Sequence, residues 1–211
     1  KGTLIHGYIK NASGKLINLL TGEEVETFTT DVTGKYELET AIDDLPVVFK
    51  IEFEKGTGID ISTNKTVNIT MKVVTTKETA KTQGSKRVPL TPITTLLAEN
   101  TEAVIETMKV SMTQEQRSNP PIEKITEIET KKTEEITNIS EALGITTADI
   151  EVDFIAEKNF DIAKKVSQID LAITTLTKTI NTDSTLVASS TTIKEDNIMA
   201  SMAKVLKTQG E

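Results

Sequence analysis

RVPLTPITTLLA, residues 87 to 98, is the stretch at which the chain changes character. Before it, apolar residues mostly alternate with polar ones and turns rich in Gly and Asn interrupt them. After it, apolar residues recur at helical spacing and Gly becomes rare. Pro92 suits the first turn of a helix, where its missing N–H would have no partner, and Thr91 can cap that helix. The stretch therefore predicts a hinge between a strand-rich half and a helical half.

Composition limits the classes of function. The 211 residues suffice for one large or two small domains, and their cores must be aliphatic because only 3% of the residues are aromatic. The 24 basic and 32 acidic residues give a formal net charge of −8, which argues against binding to nucleic acid or to anionic membrane surfaces. The absence of cysteine excludes disulfides, thiolate metal sites and cysteine nucleophiles.

The start of the chain and the length of its apolar segments indicate whether the protein is processed or inserted in a membrane. No apolar run approaches the roughly 18 to 20 residues of a membrane span, so we expect no membrane insertion. No leader of charged and then apolar residues opens the chain. The first residue is Lys1 rather than Met, which favours a processed protein or a piece of a longer one.

The first half has the pattern of short antiparallel strands. Residues 47 to 53 place Val47, Phe49, Ile51 and Phe53 on one face, which predicts a central strand. About seven such segments fit before residue 76, so residues 1–76 are predicted to form an antiparallel β-sandwich. Residues 77–90 are polar and mostly without periodicity, and we interpret them as a linker.

The second half, residues 91–211, has the pattern of helices. One helix is predicted from Pro92 to Lys109, and another from Pro121 to Leu143 with Gly144 as its C-terminal cap. Further helices are predicted over residues 162–180 and 192–207, so about four helices would form a bundle. The fold class predicted for the whole chain is α+β.

The clearest helical periodicity predicts an oligomeric seam. Apolar residues follow one another at alternating spacings of four and three, the repeat of a coiled coil. A competing mode of assembly is the donation of a terminal strand containing Leu4, Ile5 and Ile9 to the sheet of a neighbouring molecule. The seam residues are Ile162, Val166, Ile169, Ile173, Leu176 and Ile180.

Two phrases in the sequence resemble known families of surface proteins. DVTGKYEL at residues 31–38, after GYI at residues 7–9, resembles the carboxypeptidase-regulatory-like and Cna-B-like sandwiches. GIDISTN at residues 58–64, followed by TPITTL at residues 91–96, is similar to a pairing in large secreted bacterial adhesins and marine phage structural proteins. There the second phrase reads Asn-Pro-Leu-Thr-Thr-Leu, so this chain has Thr-Pro-Ile in place of Asn-Pro-Leu.

The resemblance implies a location and a chemistry. It implies an extracellular, cell-surface or virion-surface protein that binds other proteins and assembles with itself. Some Cna-B-like sandwiches carry an isopeptide bond between Lys and Asn, promoted by a buried acid. Here Lys10 and Asn68 could pair, with Glu37 or Glu52 as the acid.

Candidate ligands for a metal lie between two predicted helices. Asp149, Glu151 and Asp153 alternate and could supply oxygen atoms to Ca²⁺, but they lack the spacing and the turn glycine of a known calcium loop. The alternative is that they stabilise a helix start, where the helix dipole favours negative charge. His6 is the only histidine, and we interpret it as a residue on a strand face.

These patterns favour a non-enzymatic structural or assembly module of an extracellular fibre, adhesin or virion surface, without a cofactor. The alternative function is attachment through bound Ca²⁺ or carbohydrate. That function would use the sandwich loops near Asp31, Asp43, Asp44 and Asp60.

Overall fold

A computed structural model describes residues 2–4, 8–83, 88–151, 153–182 and 194–209. Its fold class is α+β, with strands followed by helices, as the sequence predicts. The strands are β1 (Gly2–Leu4), β2 (Ile9–Lys10), β3 (Ser13–Asn18), β4 (Glu24–Thr29), β5 (Lys35–Tyr36), β6 (Val48–Phe53), β7 (Ile59–Asp60), β8 (Lys65–Thr66), β9 (Met71–Thr76) and β10 (Val88–Leu90). The helices are α1 (Lys77–Gln83), α2 (Pro92–Val110), α3 (Gln114–Ser118), α4 (Ile122–Leu143), α5 (Phe160–Thr182) and α6 (Glu195–Gln209).

The main sheet has four antiparallel strands in the order β4-β3-β6-β9. Strand β6 lies inside this sheet, with Ile51 paired to Leu16 on one side and to Val73 on the other. Its alternation between buried Phe49, Ile51 and Phe53 and less buried Lys50 and Glu52 confirms the prediction of a central strand.

Two small sheets accompany the main sheet. One has the order β2-β7-β8, and the other has the order β10-β1-β5. In the latter, β1 pairs in parallel with β10 and antiparallel with β5. The N-terminal strand therefore lies beside the strand that leads directly into α2.

Aromatic side chains form the centre of the strand-rich half. The rings of Phe28, Tyr36 and Phe53 lie with each pair of centroids 5.3 Å apart. Tyr36 is buried, and burial raises the pKa of its hydroxyl far above the usual value. Gly14 must stay small, since an added Cβ would lie 2.7 Å from ring atoms of both Phe28 and Phe53.

The segment predicted as a linker contains regular structure. Residues 77–83 form α1, and its first turn begins where the Thr79 N–H donates to Thr76 Oγ1 at 3.1 Å. Lys81 pairs with Asp43 at 3.2 Å, and Lys77 donates to the carbonyl of Asp43. These polar contacts hold a helix that has no apolar stripe, and for that reason periodicity did not predict it.

The predicted helix ends are confirmed at α2 and α4. Thr91 caps α2 by accepting a hydrogen bond from the Thr94 N–H, while the Thr94 hydroxyl accepts one from the Thr91 N–H. Pro92 occupies the first turn of α2. Gly144 caps the C-terminus of α4 and has the left-handed conformation with φ of 63°.

One hydrophobic core contains residues from both halves of the chain. Strand residues such as Leu16 and Phe53 belong to the same buried cluster as Leu96 of α2 and Ile173 of α5. Helix α6 joins this core through Ile198, Met199 and Ala203, which are all buried. The assignment of residues 1–76 and 91–211 to separate domains stays a prediction, but their side chains pack together.

Candidate functional site

The contact between β9 and α2 organises the molecule around residues that the sequence marked as a hinge. All six residues of β9 are buried, although β9 is the last strand of its sheet. The Lys72 N–H donates to Thr95 Oγ1 at 3.1 Å, and the Thr95 hydroxyl donates in turn to the carbonyl of Thr91 at 2.8 Å. Helix α2 therefore covers this sheet edge and satisfies one of its free backbone donors.

A group of charged side chains reinforces the same contact. Lys72 Nζ lies 2.9 Å from Glu99 Oε1 and 2.8 Å from Glu102 Oε1. Lys50 Nζ lies 3.2 Å from Glu102 Oε2 and 2.6 Å from Glu52 Oε2. We call these five residues the ionic cluster. It links β6 and β9 to α2 through charges that are largely withdrawn from water.

The lysine at the centre of the ionic cluster stays protonated. Burial alone would lower the pKa of Lys72, but the Glu102 and Glu99 carboxylates outweigh burial and raise it above its ordinary value. A buried ammonium between two carboxylates is an electrostatic bridge and is a poor nucleophile or general base at neutral pH. Its chemistry here is to hold α2 against the sheet.

Strand β4 forms the other edge of the main sheet. Among the strands that the structure describes, β3 is its one neighbour. Its side chains at Thr27 and Thr29 are exposed. The ladder between β3 and β4 shifts register between Leu16 and Ile17, which is a bulge near one end of β4.

Glu26 on β4 binds the backbone of a distant segment. Its carboxylate accepts hydrogen bonds from the N–H of Glu39 at 2.7 Å, from the N–H of Thr40 at 2.9 Å and from the Thr40 hydroxyl at 2.6 Å. Partial burial alone would raise the pKa of Glu26, but these hydrogen bonds outweigh it and lower the pKa below its usual value.

A polar cleft lies between the β7–β8 hairpin and the last two helices. Its volume is about 360 Å³, and carboxylates from Asp60, Asp170 and Glu195 line it together with Lys65 and Asn68. Asp60 is buried and accepts hydrogen bonds from the N–H groups of Ser62 and Thr63, which fixes the hairpin turn. Of the four loop carboxylates predicted for ligand binding, Asp60 lines this cleft.

The other three predicted loop carboxylates lie elsewhere. Asp31 accepts hydrogen bonds from the N–H groups of Thr33 and Lys35, and the Lys35 N–H is the largest cause of its lowered pKa. Asp43 pairs with Lys81, and Asp43 and Asp44 lie in a 3₁₀ turn. These contacts give the carboxylates of Asp31 and Asp43 structural roles.

Two of the three predicted metal ligands, Asp149 and Asp153, have hydrogen-bonding partners. Asp149 accepts hydrogen bonds from the hydroxyl and the N–H of Thr146, which lower its pKa. Asp153 accepts one from the Tyr8 hydroxyl at 3.2 Å. The backbone of Glu151 ends a 3₁₀ turn, while its side chain lies outside the described residues. Within the described part of the chain, no group of three or more His, Cys, Asp or Glu residues could hold a metal ion.

The predicted seam of α5 faces the core of its own chain along most of its length. Ile162, Val166, Ile169 and Ile173 are buried there. Leu176 is 44% exposed and Ile180 is partly buried. In this conformation, an intermolecular seam could use the C-terminal part of the stripe, at Leu176 and Ile180. The intermolecular seam stays a prediction.

The predicted exchange strand is engaged within the chain. Leu4 belongs to β1, which pairs with β10 and β5, and Ile9 is a buried residue of β2. Ile5 and His6 lie outside the described residues, as does Thr192 at the start of the predicted last helix. Lys10 pairs with Ile59 in the small sheet, and Glu52 belongs to the ionic cluster.

Sequence reasoning missed the ionic cluster and Glu26. A signal was present for the cluster, because Lys50 and Glu52 alternate with apolar residues on a strand predicted to be central. Charged residues on a buried strand need partners, and Glu99 and Glu102 share a face of α2 three residues apart. No local signal links Glu26 to residues 39 and 40.

Comparisons with known proteins do not assign this chain to a family. No protein-family model, curated protein or solved structure matches this chain. Among the helices that the structure describes, none is long and apolar enough to span a bilayer.

Proposed function

We propose that this chain is a non-enzymatic structural and assembly module of an extracellular fibre, adhesin or virion surface. The observation that carries the proposal is the contrast between the two edges of the main sheet. At β9, α2 and the ionic cluster join strands and helices, while β4 at the opposite edge has a single neighbour among the described strands. A sheet that is packed against helices at one edge and ends in an edge strand at the other can pair with a strand of another chain.

The proposal includes a Cna-B-like sandwich followed by a bundle of about four helices. Two features support it. Residues 31–34 form a tight turn in which Gly34 has φ of 80°, as the phrase Asp-Val-Thr-Gly requires. Residues 91–96 start the helix that covers the sheet, which gives the phrase Thr-Pro-Ile-Thr-Thr-Leu a structural role.

Light scattering over a hundredfold range of protein concentration, combined with negative-stain imaging, tests this function. We expect a mass that rises above the 23.0 kDa of one chain, or visible fibres at high concentration. A mass of 23.0 kDa at every concentration would overturn self-assembly. The variant Leu176→Glu tests the exposed part of the α5 stripe, with Thr175→Glu as its control, because both residues are exposed and neighbouring.

The polar cleft favours a second candidate function, attachment through Ca²⁺ or carbohydrate. Carboxylate, amide and hydroxyl groups line this cleft, and such oxygen atoms suit Ca²⁺ and sugar hydroxyls. Melting temperature with calcium chloride and then with chelator tests it. A reversible rise of several degrees that is lost in Asp170→Asn but kept in Asp161→Asn supports binding at the cleft. No rise in the wild type removes calcium from consideration.

A further inference from the structure

The open edge of the main sheet is the feature that carries an inference about the mode of assembly. In an antiparallel ladder, the backbone groups of successive residues point alternately toward and away from the neighbouring strand. The Thr30 N–H donates to the carbonyl of Ala12, which continues the line of β3. Alternation therefore directs the backbone N–H and C=O groups of Thr29 and Thr27 away from β3.

The devices that protect sheet edges lie toward the Glu24 end of β4 and are absent from Thr27 to Thr29. Its sequence, Glu-Val-Glu-Thr-Phe-Thr, contains neither Pro nor Lys. The bulge lies at the Glu24 end, which leaves Thr27 to Thr29 in regular pairing with β3. Glu26 is committed to the N–H groups of Glu39 and Thr40. At the opposite edge, by contrast, α2 covers β9.

We propose that β4 pairs antiparallel with β4 of a second copy of this chain, with Thr27 opposite Thr27 on the two-fold axis. This mode of pairing rests on the proposed assembly function. It would join two four-stranded sheets into one continuous sheet across the axis.

Charge and the length of β4 select this register. With Thr27 on the axis, Glu26 lies opposite Phe28 of the second copy and Val25 lies opposite Thr29 of the second copy. No two carboxylates then oppose each other, and Thr–Thr and Thr–Val pairs are favourable on a sheet surface. Putting Glu26 on the axis would keep Thr27 in a hydrogen-bonded pair but would oppose two carboxylates directly. Putting Phe28 on the axis would pair only Thr27 to Thr29, because β4 ends at Thr29.

The expected association is weak and strengthened by salt. Two six-residue edges bury less surface than a standard stable interface, and each copy carries a net charge of −8. Raising the ionic strength screens the repulsion between copies, so the dimer fraction should rise with salt.

Cysteine cross-linking tests the register, because the chain has no cysteine of its own. In the proposed pairing, the two Cα atoms at position 27 lie about 5.5 Å apart, within reach of a disulfide. Those at position 29 lie about 14 Å apart, since each faces position 25 of the other copy. Under mild oxidation we expect Thr27→Cys to form a covalent dimer at least about tenfold faster than Thr29→Cys, its control on the same strand face. Equal rates, or faster cross-linking of Thr29→Cys, would overturn the proposal.

A second pair of variants tests the role of the backbone. Thr27→Pro removes the outward N–H, and Thr27→Val keeps it. We expect light scattering to show loss of the dimer in Thr27→Pro and an unchanged dimer in Thr27→Val. If Thr27→Pro fails to fold, the two cysteine variants decide.

The outcomes separate this proposal from the function on which it rests. A wild type that associates, with cross-linking independent of position 27, leaves the assembly function standing and overturns pairing through β4. A wild type that is monomeric at every concentration and salt level overturns both.

Discussion

At the scale of single residues, the sequence predicted the features whose partners are local. Thr91, Pro92 and Gly144 were predicted as helix ends because each acts on backbone groups within one turn. Thr95 and Glu26 could not be predicted in the same way. Thr95 bonds a strand 23 residues away, and Glu26 bonds a segment 13 and 14 residues away, so only the folded chain brings these groups together.

Removing the Thr95 hydroxyl should destabilise the protein. Thr95→Val keeps the shape of the side chain but leaves the buried Lys72 N–H without its acceptor. We expect a loss of about 1–3 kcal/mol in the free energy of unfolding, measured by urea denaturation. The control is Thr107→Val, which removes an exposed hydroxyl from the same helix and should cost less than about 0.5 kcal/mol. Equal losses in the two variants would show that the contact with β9 is not stabilising.

Glu26 should make stability depend on acid pH. Its folded-state pKa is lowered, so its ionised form stabilises the fold above the pKa of the unfolded chain, and this stabilisation is lost as pH falls through the folded-state pKa. We expect Glu26→Gln to be less stable than the wild type at pH 7 by about 1 kcal/mol, with the difference shrinking toward pH 3.

Urea denaturation at a series of pH values measures this difference. Glu23→Gln, at an exposed residue on the adjacent turn, is the control and should change stability little at any pH. A difference between Glu26→Gln and the wild type that stays constant from pH 7 to pH 3 would contradict a stabilising role for the ionised carboxylate.

At the scale of elements, tertiary packing determines the burial of β9, the formation of α1 and the partner of α5, none of which hydrophobic periodicity predicted. The alternation of β9 predicted a strand, but all six of its residues are buried, because Met71 and Val73 join one hydrophobic cluster and Val74 on the other face joins a second. Helix α1 lacks an apolar stripe and depends on the cap at Thr76 and on contacts with Asp43. The heptad spacing of α5 predicted an apolar face correctly, while the identity of its partner depends on the tertiary fold.

The ionic cluster should couple β9 to α2 energetically. A double-mutant cycle of Lys72→Met and Glu102→Gln should give a coupling energy of about 1–3 kcal/mol, because both groups lie in surroundings poor in water. The matched cycle of Lys109→Met and Glu106→Gln concerns a pair on α2 in which Glu106 is exposed, and it should give less than about 0.5 kcal/mol. Equal coupling energies in the two cycles would show that the ionic cluster does not join β9 to α2 more strongly than an exposed pair joins two turns of a helix.

At the scale of the whole molecule, the order of strands before helices followed from the sequence, but the joining of the two halves did not. A composition change at residues 87–98 indicates a boundary between types of structure. It says nothing about whether the elements on either side share a core. Here Leu16, Phe53, Leu96 and Ile173 belong to one buried cluster, and the phrase predicted as a hinge fixes α2 to the sheet.

Equilibrium unfolding followed by two probes tests most directly whether the β9–α2 contact makes the chain one unit. The chain has two tyrosines and no tryptophan, and the Tyr8 hydroxyl bonds Asp153 of the second half. In a Tyr8→Phe variant, the fluorescence of Tyr36 reports on the strands. Circular dichroism at 222 nm reports on α2, α4, α5 and α6. We predict coincident urea transitions with one midpoint. Two separate midpoints would contradict this, because they would mean that the strands and the helices unfold as independent domains.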